Sequence, residues 1–148
     1  MKPNVSVIIP VYNTEKLLSR CLQSVTEQSL TNIEIICVND GSTDNSLDVL
    51  QKWADKDNRI VVINQANGRQ GKARNAAMAV AKGEYIGMID SDDYIPANYF
   101  EKLYNAAVTN NAEIAICGII KEKPAGNRTV IEFKESTVAT TTQEKLQV

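Results

Sequence analysis

Three carboxylates stand close together past the middle of the chain, at Asp90, Asp92 and Asp93. They follow residues 83–89, a short apolar run of the kind that forms a strand covered on both faces in an α/β sheet. Such close carboxylates repel one another unless a proton or cation bridges them, and oxygen ligands without His or Cys suit Mg²⁺ or Mn²⁺. The spacing therefore predicts a divalent-cation site at the carboxyl end of a strand. The alternative is that Asp92 and Asp93 only cap and charge the start of the next helix.

Two further motifs could contact a nucleotide. The first apolar run ends in Pro10, Val11, Tyr12 and Asn13, where the tyrosine ring could stack on a base. The alternative is a capped helix entry with that ring half-buried. In the second motif, Asp40 could accept hydrogen bonds from a base or ribose, while the glycine after it permits a tight turn. The alternative there is a turn whose next hydroxyl residues cap a helix.

Residues 68–75 place two cations, Lys72 and Arg74, at the predicted start of a helix. Cations oppose the dipole at a helix N-terminus, so their presence there favours a bound anion such as a diphosphate. The alternative is that both side chains point into water, which costs little for exposed groups. A divalent ion held by the acid cluster could face that diphosphate and stabilise a leaving nucleotide as its negative charge develops.

Composition narrows the classes of function. The chain has 148 residues, a net charge of −2 and no histidine, and its pI is about 5.2. That size suits one domain, the charge supplies no basic field for nucleic acid, and no run approaches the ~20 apolar residues of a membrane span. Without histidine, a Ser-His-Asp triad, a Cys-His pair and a His-ligated zinc are excluded.

Two smaller expectations follow from the sequence. Residues 1–10 lack the features of a secretory signal, which favours a cytoplasmic location. The cysteines at positions 21, 37 and 117 lie far apart in apolar contexts. We expect Cys21, Cys37 and Cys117 to be core thiols rather than disulfides or metal ligands.

Strand and helix patterns alternate along most of the chain. Strands are predicted at residues 5–11, 33–38 and 59–64, in a run ending at Asp90, and at 112–120; helices are predicted at 15–28, 42–55, 72–82 and 97–109. This order predicts an α/β fold, a three-layer sandwich whose mostly parallel sheet has helices on both faces. Because the carboxyl ends of parallel strands meet at one edge, the four motifs should converge there.

The pattern weakens after residue 120. Residues 121–129 contain a proline and a glycine, and residues 130–133 have a short strand pattern, so we expect a hairpin at an edge. Residues 136–148 are rich in Thr and Gln and are expected to be poorly ordered or to pack on a segment absent from this chain. The apolar run 114–120 could expose an edge that pairs with a second copy, giving a homo-oligomer.

In this order the motifs resemble glycosyltransferase family 2, the inverting enzymes with a GT-A fold. The resemblance covers about residues 4–105 and is carried by four blocks: VSVIIPVYN at 5–13, VNDGSTD at 38–44, GKARN at 71–75 and GEYIGMIDSDD at 83–93. A lone D-x-D is weak evidence, whereas four blocks in the family's order are strong. The resemblance implies a Rossmann-like nucleotide-binding half and a metal-dependent transfer of sugar from a nucleotide-sugar, most often a UDP-sugar, to a saccharide or other hydroxyl acceptor.

The resemblance also implies roles by position. Tyr12 would lie beside the uracil and Asp40 would hydrogen-bond its edge, while the two cations would approach the diphosphate. Asp90 would contact the ribose or the metal, Asp92 would be the main ligand of Mn²⁺ or Mg²⁺, and Asp93 would be a third acid. The implied donor-binding residues are Pro10, Val11, Tyr12, Asn13, Asp40, Lys72, Arg74, Asp90 and Ser91, and the implied metal ligands are Asp92 and Asp90.

The chain departs from the family in its later part. Family members usually continue well beyond this length and use a later acidic residue as base on the acceptor hydroxyl; the later acids here match no such motif. The catalytic base is therefore unknown. We expect residues 1–120 to be a donor-binding domain and residues 121–148 to begin an acceptor-side segment. Members commonly build surface polysaccharides, so a place at the inner face of the membrane also fits the resemblance.

Two other hypotheses stay open from the sequence. One is a truncated or degenerate module that binds a nucleotide-sugar without turnover. The other is an aspartate-based phosphotransfer protein, because D-x-D motifs and acidic pockets also occur there. Such proteins carry acids at the end of the first strand, where residues 9–13 have none.

Overall fold

A computed structural model describes residues 2–122 and 128–131. The chain divides into two compact units, Met1–Glu101 and Lys102–Val148. The expected domain boundary at residue 120 stays a prediction. In chain order the elements are β1 (Val5–Val11), α1 (Glu15–Thr26), β2 (Ile33–Asp40), α2 (Ser46–Ala54), β3 (Ile60–Gln65), α3 (Arg69–Met78), β4 (Tyr85–Met88), α4 (Tyr99–Thr109), β5 (Ile119–Glu122) and β6 (Arg128–Ile131).

The first unit is built on a four-stranded sheet in the order β3-β2-β1-β4. Neighbouring strands are parallel throughout this sheet. Val5 is aligned with Ile33 on β2 and with Tyr85 on β4, and Ile35 on β2 is aligned with Ile60 on β3. The predicted α/β fold with a parallel sheet and flanking helices is confirmed.

The two central strands form the core because both of their faces are covered. All seven residues of β1 and seven of the eight residues of β2 are buried, which explains their continuous apolar runs. On one face, Ile8, Ile36 and Val38 pack against Ala73 and Ala77 of α3. The small alanine side chains let this helix lie close to the sheet.

The chain reverses its direction across the sheet after β3. The first three strands are laid side by side, whereas β4 returns to the other side of β1. With right-handed crossovers, this order puts α3 on the opposite face from α1 and α2. Parallel sheets bind ligands at such a reversal, in the crevice outside the carboxyl ends of the strands. The topology therefore directs attention to the ends of β1 and β4.

Helix starts differ most from the predictions. α2 was expected from residue 42 but begins at Ser46, because the preceding residues bond to the loop before α1; Ser42 and Thr43 therefore do not cap it. α3 was expected from residue 72 but begins at Arg69. None of the helices within residues 2–122 and 128–131 has the length and apolar character needed to span a membrane.

The second unit contains a small hairpin. β5 pairs antiparallel with β6 in a two-stranded sheet of its own. The two strands pair where a hairpin was expected, but they form a sheet separate from the parallel one, so the expected position at its edge is not found among the described strands. The tail predicted to be poorly ordered, residues 136–148, lies outside the described residues.

The strand predicted over residues 112–120 is wrong, because β5 begins only at Ile119. Ile114 is 74% exposed, and residues 112–118 have no neighbouring strand among those described to supply a ladder. Cys117 is accordingly exposed, so its prediction as a core thiol is wrong, whereas Cys21 and Cys37 are buried and unpaired.

Candidate functional site

A cleft of about 510 Å³ opens at the carboxyl edge of the parallel sheet. This volume falls within the range of pockets that hold small-molecule ligands. The ends of β1, β2 and β4 and the start of α3 form its walls. All four sequence motifs contribute lining residues, which are Pro10, Val11, Tyr12, Asp40, Asn67, Arg69, Gln70, Asp90, Ser91 and Asp92.

The end of β1 presents an aromatic ring to the cleft. Tyr12 is 50% exposed, whereas Val11 before it is buried. A ring in this position can offer one face to a planar ligand. Asn13 has a different role, because its Oδ1 accepts a hydrogen bond from the Thr43 backbone N–H at 2.7 Å. Asn13 thus ties two loops together and is not among the lining residues.

The loops before α1 and α2 cap each other's helices. Thr14, the N-cap residue of α1, makes no side-chain cap bond. Instead, Asp44 Oδ2 accepts from the Glu15 N–H at 3.1 Å, and Glu15 Oε2 accepts from the Asn45 N–H at 2.9 Å. Burial raises the pKa of Asp44, but hydrogen bonds from Ser46 and Glu15 outweigh it and hold that pKa below its ordinary value. This mutual capping fixes the wall that carries the tyrosine.

Asp40 joins the end of β2 to the start of α3. It is only 2% exposed, and its Oδ1 accepts from Gln65 Nε2 at 2.6 Å and from the Gly68 N–H at 2.9 Å. Gly41 has φ +71°, and a Cβ there would come within 2.7 Å of the Asn67 backbone nitrogen. Glycine is therefore required both by the turn and by the close approach. Asp40 shapes the cleft as well as lining it.

Asp90 is already engaged by two donors from α3. Its Oδ1 accepts from Gln70 Nε2 and from Arg74 Nη2, both at 2.8 Å. Arg74 is thus committed to a partly exposed ion pair, and its buried Nε has no partner among the described residues. The Lys72 side chain lies over Gly68, where a Cβ would collide with it. Neither cation is among the residues that line the cleft.

The acids after β4 crowd one another. Burial first, and then the charges of Asp92 and Asp90, raises the pKa of Asp93. Within residues 2–122 and 128–131, no group of three or more acidic or cysteine side chains is arranged as a complete metal cage. Asp90 and Asp92 nevertheless both line the cleft. Two carboxylates without His or Cys fit Mg²⁺ or Mn²⁺, which commonly take their other ligands from phosphate and water.

One side of α1 holds the segment that follows the acids. Gln28 is 3% exposed; its Nε2 donates to the Pro96 carbonyl at 2.7 Å, and its Oε1 accepts from the Phe100 N–H at 3.0 Å. Ser24 Oγ accepts from the Ile95 N–H at 3.2 Å. These bonds fix the backbone that follows residues 90–93, the acid loop.

The same helix also contacts the acid loop directly. The Arg20 guanidinium lies 4.3 Å from the centre of the Tyr94 ring, a favourable cation–π arrangement. Cys21 Sγ donates to the Asp90 carbonyl at 3.6 Å. Burial, reinforced by the charges of Asp93 and its neighbouring acids, raises the pKa of Cys21 to about 12. The thiol is therefore neutral at physiological pH and acts as a packing group and weak donor.

Sequence reasoning missed three lining residues at the start of α3, Asn67, Arg69 and Gln70. Placing the helix start at residue 72 left these residues in an unassigned loop. It also missed Gln28, which looked like the last residue of an amphipathic helix. Asn67, Arg69 and Gln70 are distinguished from other polar surface residues by their position in the cleft lining. Gln28 is distinguished by the bonds that its buried side chain makes in the folded chain.

Comparison with known proteins identifies the family of this chain. The sequence profile described as glycosyl transferase family 2 matches residues 6–145. The chain belongs to this family. In this family-2 chain the cleft lies at the carboxyl edge of the parallel sheet.

Three relatives illustrate the membership. The Bacillus subtilis (strain 168) glycosyltransferase EpsJ is 43% identical over 122 residues, which cover 82% of this chain and 36% of EpsJ. Among solved structures, residues 1–349 of S. aureus TarS in complex with UDP match with a TM-score of 0.69 and 32% identity, covering 74% of this chain and 33% of that one. The Pyrobaculum calidifontis mannosyltransferase PcManGT, in complex with GDP-Man and Mn²⁺, matches with a TM-score of 0.66 and 27% identity, covering 84% and 37%. The family-2 chain described here thus spans about a third of the length of these relatives.

Proposed function

We propose that this chain forms the donor-binding part of a glycosyltransferase that moves a sugar from a UDP-sugar to a hydroxyl of a saccharide acceptor, with inversion at the anomeric carbon. The observation that carries the proposal is the convergence of four separate motifs on one cleft of about 510 Å³ in a family-2 chain. The UDP bound in TarS supports the choice of nucleotide. The Mn²⁺ in PcManGT supports a divalent ion.

In this proposal, two groups of residues bind different parts of the donor. The half-exposed Tyr12 ring stacks on the uracil, next to the buried carboxylate of Asp40. The loop and helix start that Asp40 holds in place lie towards the diphosphate, near Arg74 and Lys72. Pro10, Val11 and Ser91 complete the contact surface, while Asn13 acts through the loop that it ties.

The acids Asp90 and Asp92 form another part of the cleft lining. Asp92 is the proposed principal ligand of Mn²⁺ or Mg²⁺, and Asp90 contributes to the metal or to the ribose while its Oδ1 is oriented by Gln70 and Arg74. When bound, the ion would neutralise negative charge on the diphosphate of the departing nucleotide. The chain's own residues hold and orient the donor. An inverting displacement also needs a base for the acceptor proton, and we assign that part to no residue of this chain.

The test is calorimetric titration of UDP into the purified chain with Mn²⁺ and again with EDTA. We expect binding that needs the metal and that Asp92→Asn abolishes, with an unchanged circular dichroism spectrum. Asp55→Asn is the matched control, because Asp55 is exposed at the C-terminal end of α2, away from the cleft. UDP binding that is equal in EDTA and in Asp92→Asn would refute the proposed metal-dependent donor site.

A further inference from the structure

Arg69 combines a strained backbone with a position in the cleft. It is the first residue of α3 and has φ +69°, a left-handed conformation that glycine adopts easily and other residues disfavour. Its side chain is exposed and lines the cleft. Strain at a non-glycine residue persists where the side chain has a use, and such residues cluster at ligand clamps.

The other cations of α3 are already occupied. Arg74 donates to Asp90 at 2.8 Å, and the Lys72 stem lies over Gly68. The Arg69 side chain, by contrast, makes no hydrogen bond or ion pair with any residue in the ranges 2–122 and 128–131. It is the guanidinium in the cleft lining that remains available to a ligand.

The charges of the lining indicate what that ligand group must be. Three carboxylates, Asp40, Asp90 and Asp92, line the cleft together with the guanidinium of Arg69. An anionic ligand entering this cleft needs positive charge, and a planar guanidinium binds a phosphate oxygen pair with two parallel hydrogen bonds. The carboxylates favour a divalent ion, and the Arg69 guanidinium is a second positive group that can contact phosphate oxygens directly.

We propose that Arg69 binds the diphosphate of the nucleotide donor and that the strained backbone is retained for this contact. The inference rests on the proposed donor function and adds to it a phosphate-binding residue at the start of α3. It predicts opposite effects on folding and binding when the side chain is removed. Arg69→Gly should be more stable than the wild type, because φ +69° suits glycine, yet it should bind UDP more weakly.

The experiment measures melting temperature and ligand affinity together, in the presence of Mn²⁺. Arg69→Gly should raise the melting temperature and weaken UDP binding roughly 10- to 100-fold, the usual effect of losing a hydrogen bond to a charged group. Uridine, followed by ligand-observed NMR, should bind equally to both chains because it has no phosphate. Arg69→Gln keeps a side chain at the same φ and removes the charge, so it should lose the same UDP affinity without the gain in melting temperature.

Two control variants test whether relief of backbone strain, or loss of a positive charge, changes UDP affinity by itself. Asn111 also has a positive φ, +49°, and Asn111→Gly should raise the melting temperature without changing UDP affinity. Lys52→Ala removes a positive charge from the last turn of α2 and should leave UDP affinity unchanged.

The outcomes are distinguishable. Normal UDP affinity in Arg69→Gln would overturn the assignment of Arg69 while leaving the donor site intact, even if the glycine variant failed to fold. Equal losses of UDP and uridine would also overturn it, because the effect would not depend on phosphate. A wild-type chain that binds no UDP would overturn the proposed donor and this inference with it.

Discussion

Replacing Gln28 by leucine tests whether α1 holds the acid loop in place. The substitution keeps a buried side chain of similar size but removes the amide that bonds to the Pro96 carbonyl and the Phe100 N–H. Each buried polar group left without a partner costs about 1–3 kcal/mol. Two such groups, partly offset by the apolar gain of leucine, give an expected loss of about 2–4 kcal/mol in the free energy of unfolding.

Urea denaturation followed by circular dichroism measures this loss. Gln23→Leu is the matched control on the same helix, because the Gln23 side chain bonds only to the exposed Glu27 side chain among the contacts described. We expect the control to change stability by less than about 0.5 kcal/mol. The reasoning would be refuted if the two leucine variants had the same free energy of unfolding. Below its unfolding transition, Gln28→Leu should also bind Mn²⁺ and UDP more weakly, because the acids lose their support.

Three other measurements test separate parts of the structure. The Arg59 hydrogen bonds lower the pKa of Asp57, so Asp57→Asn should cost about 1 kcal/mol at neutral pH. That difference should disappear as the pH falls below about 4, where the unfolded carboxyl is protonated and the native one follows. Gly41→Ala should lower stability by about 1–3 kcal/mol and weaken UDP binding, because φ is +71° and the new Cβ would meet the Asn67 backbone. In the native chain a thiol reagent should modify Cys117 quickly and the two buried cysteines only after unfolding.

Each of these expectations has a contrary result. A constant difference between wild type and Asp57→Asn from pH 7 to pH 3 would show that the carboxylate charge is not the source of stability. A free energy of unfolding that is unchanged in Gly41→Ala would contradict the steric account of that turn. Rapid labelling of all three cysteines in the native chain would contradict the burial of Cys21 and Cys37.

The sequence was most informative where a pattern has one physical solution. β1 was predicted at its observed bounds because seven consecutive residues are buried on both faces of the sheet. The ends of β1, β2 and β4 could be placed at one edge because the alternation of strands and helices predicts a parallel sheet. Tyr12, Asp40 and Asp90, which follow or end these strands, line the cleft.

The sequence was least informative where a residue's partner lies far along the chain. Residues 112–118 were predicted as part of a strand, but strand formation depends on a neighbouring strand, which the described residues do not supply for them. The late start of α2 results from bonds between two loops about 30 residues apart, such as that from Asn45 to Glu15. The role proposed for Arg69 depends on a backbone angle, φ +69°, that no periodicity reveals.

The cleft has a further consequence for how such enzymes diversify. Its lining residues all fall between Pro10 and Asp92, inside the compact unit Met1–Glu101. A recombination event whose junction lies after that unit would therefore transfer the whole cleft, together with the loops that cap one another, as one continuous segment. Under the proposed function, the sequence that follows could then change to suit new acceptors while the donor cleft is inherited unchanged.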